Sequence, residues 1–314
     1  MSGKRHAAGK TRRLLNPVAT DLNPDAAYLY SSLSTEPRGS ATLWSGCKEH
    51  RPENCIEVVG HTDESATLQF DTKRISVYLN DPEALVSVFS EFDSAYIDVS
   101  GLPHHVWAPL LRAGFAALSQ LNCVYVEPAE YRRHPNPTSR SEFDLSDGFR
   151  GVYPIPGFAK LAGPETDDAS VLVVLVGFEG KRAAHLASEL DPVPPVYAVL
   201  GVPGFRIEYP QVACASNGEF LAEYRAQPNV RFAAASCPFE AYDVLEQIHA
   251  DCAGKYMYIA PVGTKPHAVG AICYALKHPS KTELLYDHPL RKANRTDGVG
   301  LVHIYSLKPS HVAP

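Results

Sequence analysis

Val171-Leu-Val-Val-Leu-Val176 is an unbroken apolar run, as expected of a strand that is buried on both faces of a parallel sheet. Helical patterns and further β-branched runs alternate after it. Strands are predicted at 196–200, 230–235, 256–260 and 282–286, and helices at 181–190, 217–227, 239–251 and 267–277. This alternation predicts an α/β fold with a doubly wound, mostly parallel, Rossmann-like sheet. A last strand, 301–307, is expected at an edge of that sheet.

The first half of the chain predicts an α/β subdomain with a mixed sheet. A short helix is expected at 24–33, followed by three roughly alternating strands at 55–59, 66–70 and 74–79. Pro82, directly after Asp81, is typical of the first turn of a helix. Beyond it, a strand (94–99), a helix (105–120) and a second strand (122–126) form a βαβ-like pattern, which favours parallel neighbours.

Composition shifts divide the chain into four predicted regions. Residues 1–20 are a basic, disordered tail, for which a weak nucleic-acid arm is the alternative. Residues 21–126 form the N-terminal subdomain, and 169–314 form the Rossmann-like C-terminal domain. Between them, 127–168 is rich in proline and aromatic residues and is interpreted as a connecting segment or a lid.

Charge and composition exclude several classes of function. The 314-residue chain has a formal net charge of −6, which argues against a whole-molecule nucleic-acid binder but allows a local basic pocket. No apolar stretch approaches the roughly 20 residues needed to span a bilayer, and no apolar signal region follows the basic N-terminus. Seven scattered cysteines without a CxxC pair indicate free thiols in a reducing cytoplasm. Cys47 and Cys55 match no zinc-binding spacing, so neither a metal site nor a cofactor is predicted.

The segments that follow the predicted strands carry most of the polar chemistry. Ligands of open α/β sheets bind outside the carboxyl ends of the strands. There the sequence places glycine, arginine, lysine, threonine and histidine, whereas the loops at the opposite ends hold turn-forming residues. The candidate ligand-binding residues are Gly177, Glu179, Gly180, Lys181, Arg182, Gly201, Arg206, Gly263, Thr264, Lys265, His267 and Arg295.

The segment Gly263-Thr264-Lys265-Pro266-His267 is the strongest of these candidates. Glycine allows close backbone approach to a ligand, threonine supplies a hydroxyl and lysine supplies a charge, and the N–H groups of a following helix favour an anion. The alternative is a helix capped by Thr264, with Lys265 solvated. Arg182 and Arg206 would supply further positive charges for a phosphate, and Glu179 would hold a sugar hydroxyl or a base. A plain glycine turn is the alternative for 177–182.

Acid–base chemistry has three candidates, namely Glu179, Asp287 and His288. An Asp-His-Pro turn is the alternative for the last two. The common hydrolase, zinc-protease and dinucleotide motifs are missing from the sequence. In the first half of the chain, Asp98 lies near the end of a predicted strand, and Ser100 and His104 follow that strand. The three residues are expected to form either a second ligand edge or a domain contact.

The strand that ends at Pro261 and leads through Gly263-Thr264-Lys265-Pro266 into a helix resembles the Gly-Thr-Lys motif of CRISPR-associated Rossmann-fold (CARF) sensor domains and the related SAVED domains. Those bacterial antiphage families bind cyclic oligonucleotides at the strand ends of Rossmann-like sheets. The resemblance implies that Gly263, Thr264 and Lys265 contact ligand phosphates and that the loop 177–182 lines the same pocket. SAVED domains contain two CARF-like halves, which would accommodate the unit at 98–105.

Three functions are therefore expected, in this order. The first is binding of a small phosphorylated ligand, such as a cyclic or linear nucleotide, for signal sensing in bacterial antiphage defence. The second is an enzyme, a hydrolase or transferase, that processes a nucleotide or nucleoside. The third is a scaffold subunit whose loops contact a protein partner or a second copy of the chain.

Overall fold

The computed structural model describes residues 9–33, 36, 38, 42–160, 163–164 and 169–308. Backbone contacts divide the chain into two compact units. Unit 1 comprises residues 1–131 and 293–313, and unit 2 comprises 132–292. The predicted C-terminal domain, 169–314, differs from unit 2 at both ends, because unit 2 includes most of the proline-rich segment and the last strand belongs to unit 1.

The helices and strands follow one another in chain order. Unit 1 begins with β1 (Gly9–Leu14), β2 (Ala27–Tyr30), α1 (Thr42–His50), β3 (Cys55–His61), β4 (Ser65–Gln69), β5 (Arg74–Tyr78), α2 (Pro82–Ser87), β6 (Ser94–Asp98), α3 (His104–Ala117), β7 (Gln120–Val126) and β8 (Glu130–Tyr131). Unit 2 contains β9 (Arg133–Thr138), β10 (Ser141–Phe143), β11 (Ser146–Phe149), β12 (Ser170–Leu175), α4 (Gly180–Ser188), β13 (Val196–Gly201), α5 (Tyr209–Ser216), α6 (Gly218–Glu223), β14 (Val230–Ala233), α7 (Pro238–Asp251), β15 (Tyr256–Pro261), α8 (Lys265–Lys277), β16 (Thr282–Leu284) and β17 (Pro289–Arg291). The chain then returns to unit 1 with β18 (Thr296–Asp297) and β19 (Val302–Leu307).

Unit 2 is built on a five-stranded sheet in the order β14-β13-β12-β15-β16. All four neighbouring pairs are parallel. Every residue of β12 is buried, as its unbroken apolar run predicts. The α/β class and the Rossmann-like parallel sheet expected from the sequence are thus confirmed. The strand order reverses between β12 and β15, and the loops after these two strands lie at the point where such sheets bind ligands.

The core of unit 2 lies where the helices cover this sheet. Leu172 and Val174 of β12 pack with Leu186 of α4, Leu200 of β13 and Phe220 of α6. Burial of these side chains fixes α4 and α6 against the sheet and so positions the loops that precede them.

Unit 1 contains an eight-stranded mixed sheet in the order β1-β19-β7-β6-β2-β3-β4-β5. The β2, β3, β6 and β7 pairings are parallel, whereas the pairings at the two ends of the sheet, β1-β19-β7 and β3-β4-β5, are antiparallel. The predicted mixed sheet is therefore confirmed. Its core includes Tyr28, Trp44, Val124 and Ile304.

Three predictions about unit 1 are wrong. Segment 24–33 is not a helix, because Ala27–Tyr30 is a fully buried strand between β3 and β6. Segment 301–307 is not an edge strand of the C-terminal sheet, because β19 pairs with β1 and β7 inside the sheet of unit 1. The tail 1–20 is not disordered throughout, because Gly9–Leu14 pairs along its whole length with β19. Residues 1–8 of that predicted tail lie outside the described residues.

Candidate functional site

A cavity of about 630 Å³ lies in unit 2 where α4 begins. We call it the α4 cavity. Its walls come from the β9–β10 hairpin and β11 (residues between 134 and 149), from the end of the β12–α4 loop and the start of α4 (178–184), and from the α5–α6 region (216–223). Its volume falls within the range of roughly 300–1,000 Å³ that is usual for small-molecule sites.

The start of α4 is held in place by close backbone packing. A Cβ atom at Gly180 would overlap the carbonyl oxygen of Ser216, so the first residue of α4 must be glycine to lie against the end of α5. Asn217 ties the same parts together, since its Nδ2 donates hydrogen bonds of 2.7 Å to the carbonyl oxygens of Gly177 and Ala213. The β12–α4 loop is therefore held in place by contacts within the chain.

The N-terminus of α4 offers unused hydrogen-bond donors. The side chain of Glu179, the residue before the helix, does not cap it. The first N–H groups of a helix have no acceptor inside the helix, and within the described structure only Arg182 of the first turn has its N–H bound, to the carbonyl oxygen of Glu179 at 3.0 Å. Gly180 and Lys181 line the cavity, and the N–H groups at the start of a helix favour an anion.

Ser216 is a second sign of a ligand at this place. It lines the cavity and is 9% exposed, yet its hydroxyl has no hydrogen-bond partner in the described part of the chain. Buried hydroxyls are normally hydrogen-bonded, because leaving one unpaired costs about 1–3 kcal/mol. The hydroxyl oxygen is closed to solvent, so a polar group of a ligand in the cavity would reach it only after the Ser216 side chain turns toward the cavity.

Glu179 and Lys181 also line the cavity. Ser146 Oγ donates a 3.1 Å hydrogen bond to Glu179 Oε2, which leaves the other carboxylate oxygen able to accept from a ligand hydroxyl. Lys181 is exposed at the first turn of α4 and forms no ion pair with any described residue. The structure thus brings three of the predicted residues, Glu179, Gly180 and Lys181, to one cavity.

Arg182, another predicted phosphate contact, is instead committed to a buried ion pair. Its Nε and Nη2 donate to the two carboxylate oxygens of Asp287 at 2.8 and 2.6 Å, and Asp287 is fully buried. Burial alone would lower the pKa of Arg182, but its hydrogen bonds and attraction to Asp287 outweigh that effect and raise the pKa above its ordinary value. Nη1 donates to the carbonyl oxygen of Val262 at 3.2 Å, so Arg182 connects α4 to the end of β15.

The neighbouring His288 is packed as well. Its ring stacks on Tyr153, with ring centroids 3.7 Å apart, and its Nε2 lies 3.1 Å from the carbonyl oxygen of Tyr153. Asp287 and His288 therefore hold the proline-rich segment and the β16–β17 connection together. Of the three candidate acid–base residues, Glu179 is the one at the cavity wall.

The Gly263-Thr264-Lys265 segment follows β15, next to the reversal of the strand order, but its residues pack against neighbouring backbone. A Cβ atom at Gly263 would lie 2.5 Å from the carbonyl oxygen of Val176, so this glycine lets the loops after β12 and β15 touch. The Thr264 hydroxyl donates to the carbonyl oxygen of Ala235 at 2.7 Å and accepts from the N–H of His267 at 3.3 Å. Lys265 is 6% exposed. Thr264 caps α8, as the alternative interpretation predicted. Lys265 is buried, so the solvated Lys265 of that interpretation is wrong.

His267 is fully buried beside this loop. Its Nε2 lies 3.1 Å from the carbonyl oxygen of Ala234, an arrangement in which the neutral ring donates. Burial lowers the pKa of His267 to about 4, and the hydrogen bond to Ala234 offsets this only in part. His267 is thus a structural residue that is neutral at pH 7.

We expect unit 2 to lose stability as the pH falls from about 6.5 to about 4, because the unfolded chain then protonates His267 while the folded protein does not. Above pH 6.5 this contribution is fully present. Hydrogen exchange of α8 peptides at pH 7 and pH 5 measures the change. His267→Gln, which keeps a donor for Ala234, should flatten the pH dependence; an equal slope in both proteins would contradict this role.

The remaining predicted residues lie elsewhere. A Cβ atom at Gly201 would come 2.9 Å from Cβ of Ala235, which makes it a packing glycine, and Arg206 lies in the β13–α5 loop with Nη1 4.0 Å from Glu208. Arg295 belongs to unit 1, where its Nε donates to Glu36 Oε1 at 2.6 Å. None of these three is among the residues that line the α4 cavity.

The predicted second edge in unit 1 is occupied by internal hydrogen bonds. Asp98 Oδ2 accepts from Trp44 Nε1 and its Oδ1 accepts from the N–H of Ser100, each at 2.7 Å. Ser100 Oγ accepts from the N–H of Val126 at 2.7 Å. His104 is buried. These side chains stabilise the βαβ connection.

Several lining residues were missed by sequence reasoning. Ser216 was not among the predicted site residues, and the single helix predicted at 217–227 is replaced by α5 and α6, which divide the segment at Asn217. The hairpin residues fall in the predicted lid segment, whose aromatics Phe143 and Phe149 do line the cavity. The described residues contain no group of three or more His, Cys, Asp or Glu arranged for a metal ion, and no described helix is long and apolar enough to cross a membrane.

No protein-family model matches this chain, and no curated protein matches its sequence.

Proposed function

We propose that unit 2 binds a nucleotide-type ligand in the α4 cavity, with a phosphate group at the N-terminus of α4. The observation that carries this proposal is the coincidence, in one cavity, of the uncapped N-terminus of α4 and the unpaired, nine-tenths buried hydroxyl of Ser216. α4 follows β12, one of the two strands between which the strand order reverses.

The lining offers a separate partner for each part of such a ligand. The N–H groups of Gly180 and Lys181, the Lys181 ammonium and the Ser216 hydroxyl would hold the phosphate. Glu179, already oriented by Ser146, would accept from a ribose hydroxyl. Phe178 and Phe149, both at the wall, provide apolar surface for a base. Signal sensing in antiphage defence is the role that the resemblance of 263–267 adds to this proposal.

The proposal predicts that Lys181→Ala weakens binding of a nucleoside monophosphate by about tenfold, the size of one charge-assisted hydrogen bond. Binding of the matching nucleoside should change little, because Lys181 would contact only the phosphate. Isothermal titration calorimetry with the four monophosphates and their nucleosides measures both. Lys281→Ala removes the same charge from the exposed turn before β16 and is the matched control.

Ser216→Ala separates a ligand-binding role from a structural one. The hydroxyl has no partner among the described residues, so its removal should leave the free energy of unfolding unchanged or slightly higher. Monophosphate binding should nevertheless weaken. If none of the four monophosphates binds, or if Lys181→Ala and Lys281→Ala behave alike, the proposal is wrong.

A further inference from the structure

The wall of the α4 cavity carries more carboxylates than cations. Its acidic side chains are Asp144, Asp147, Glu179, Glu219 and Glu223, whereas Arg140 and Lys181 are its basic ones. A strongly anionic ligand would therefore meet a repulsive field over most of the wall.

Neighbouring cations neutralise only part of this charge. Lys292 pairs with Asp144 and lies 3.4 Å from Asp147, and Arg140 pairs with Glu219. The Arg140–Glu219 pair is largely exposed, with side chains 65% and 71% accessible, so solvent screens it and the carboxylate keeps much of its field.

Glu223 and Glu179 add to the negative side. Glu223 is exposed and forms no ion pair with a described residue. Arg182 Nη1 lies 3.7 Å from Glu179 Oε2, but Asp287 already occupies that guanidinium. The surplus carboxylates thus lie on β11, on the β12–α4 loop and on α6, in the same wall as the start of α4.

Resting on the proposed nucleotide site, we propose that the α4 cavity binds ligands with a single phosphate group more tightly than ligands with di- and triphosphate chains. The start of α4 has donors for one phosphate, namely two free N–H groups, the Lys181 ammonium and the Ser216 hydroxyl. A second or third phosphate would lie in a cavity whose wall also carries Asp147, Glu219 and Glu223.

Screening limits the size of the selectivity. Charges within the Debye length of about 8 Å at physiological ionic strength still interact, and partly buried ones are screened less. Each added phosphate charge should therefore weaken binding a few-fold, so that a triphosphate binds about tenfold more weakly than the monophosphate of the same nucleoside.

Competition and titration experiments with the full chain test this selectivity. The four nucleoside monophosphates, diphosphates and triphosphates are titrated at low salt without divalent cations, which would neutralise the chains. Phosphate and pyrophosphate serve as probes without a base. We expect the order mono, di, tri in decreasing affinity. Glu223→Gln should lower the ratio of the triphosphate to the monophosphate dissociation constant about twofold. Glu91 is an exposed glutamate of unit 1, and Glu91→Gln should leave that ratio unchanged.

The possible outcomes separate this inference from the function on which it rests. Triphosphates that bind as tightly as monophosphates, or more tightly, would overturn the charge selectivity and leave the nucleotide site standing. If no nucleotide binds in any phosphorylation state, the nucleotide site itself is wrong and the selectivity fails with it. An unchanged ratio of the two dissociation constants in Glu223→Gln would also contradict repulsion by the wall carboxylates as the cause of the selectivity.

Discussion

Arg182→Met will destabilise unit 2 by about 3–5 kcal/mol, because it leaves the Asp287 carboxylate buried without a partner. Asp287 is fully buried, and Arg182 donates to both of its carboxylate oxygens. The pair joins α4 to the segment after β16, so its loss should destabilise both of these segments. Chemical denaturation followed by far-ultraviolet circular dichroism measures the free energy of unfolding. Hydrogen exchange assigns the loss to unit 2.

A double replacement provides the control. Arg182→Met combined with Asp287→Leu removes both charges together, and a buried ion pair replaced by apolar side chains often costs little. We therefore expect the double variant to be more stable than either single variant. Single variants within about 1 kcal/mol of the wild type, the range of exposed ion pairs, would show that the pair is not buried as described.

Gly180→Ala will destabilise unit 2 and remove ligand binding together. The new Cβ atom would overlap the carbonyl oxygen of Ser216, and backbone cannot rotate away as a side chain can. The start of α4 must then separate from the end of α5, at a cost of about 1–3 kcal/mol for an overpacked contact. Because the separation changes the cavity wall at the start of α4, monophosphate binding should fall below detection. Thermal unfolding and calorimetry measure the two effects.

Gly218→Ala is the matched control for this substitution. Gly218 begins α6, two residues after Ser216, and a Cβ atom there has no neighbour within 4 Å among the described atoms. Alanine is the better helix former, so we expect stability equal to or slightly above that of the wild type. Equal destabilisation by both substitutions would contradict the close packing at Gly180.

Much of the fold could be predicted from the sequence because unit 2 follows local patterns. The run 171–176 has the unbroken apolar character of a strand buried on both faces, and helices with regular spacing separate it from the next strands. The strand Ala27–Tyr30 could not be predicted in the same way. Pro24 and two alanines favour a helix locally, but the gap between β3 and β6 requires four buried extended residues. The place of β19 was missed for a related reason, since sequence order does not show that the chain returns to the first sheet.

The candidate site was predicted only in part, for physical reasons that particular residues show. The strand-end rule led to Glu179, Gly180 and Lys181, which do lie at the cavity. The same rule led to Thr264, whose hydroxyl bonds to backbone on both sides, and to Arg182, which Asp287 occupies. A sequence shows which residues carry polar groups but not which of those groups another part of the chain already binds. Ser216 shows the converse, because an ordinary helical serine becomes notable only when its hydroxyl is buried without a partner.

Hydrogen exchange with and without a saturating nucleoside monophosphate tests the central claim most directly. If the ligand binds in the α4 cavity, peptides covering 177–188 and the hairpin region 133–149 will gain protection, and Lys181→Ala will need about tenfold more ligand to reach the same gain. Peptides covering 98–104 and 201–209 will not change. Protection confined to 262–268, with none at 177–188, would place the ligand at the Gly263-Thr264-Lys265 segment and contradict the account.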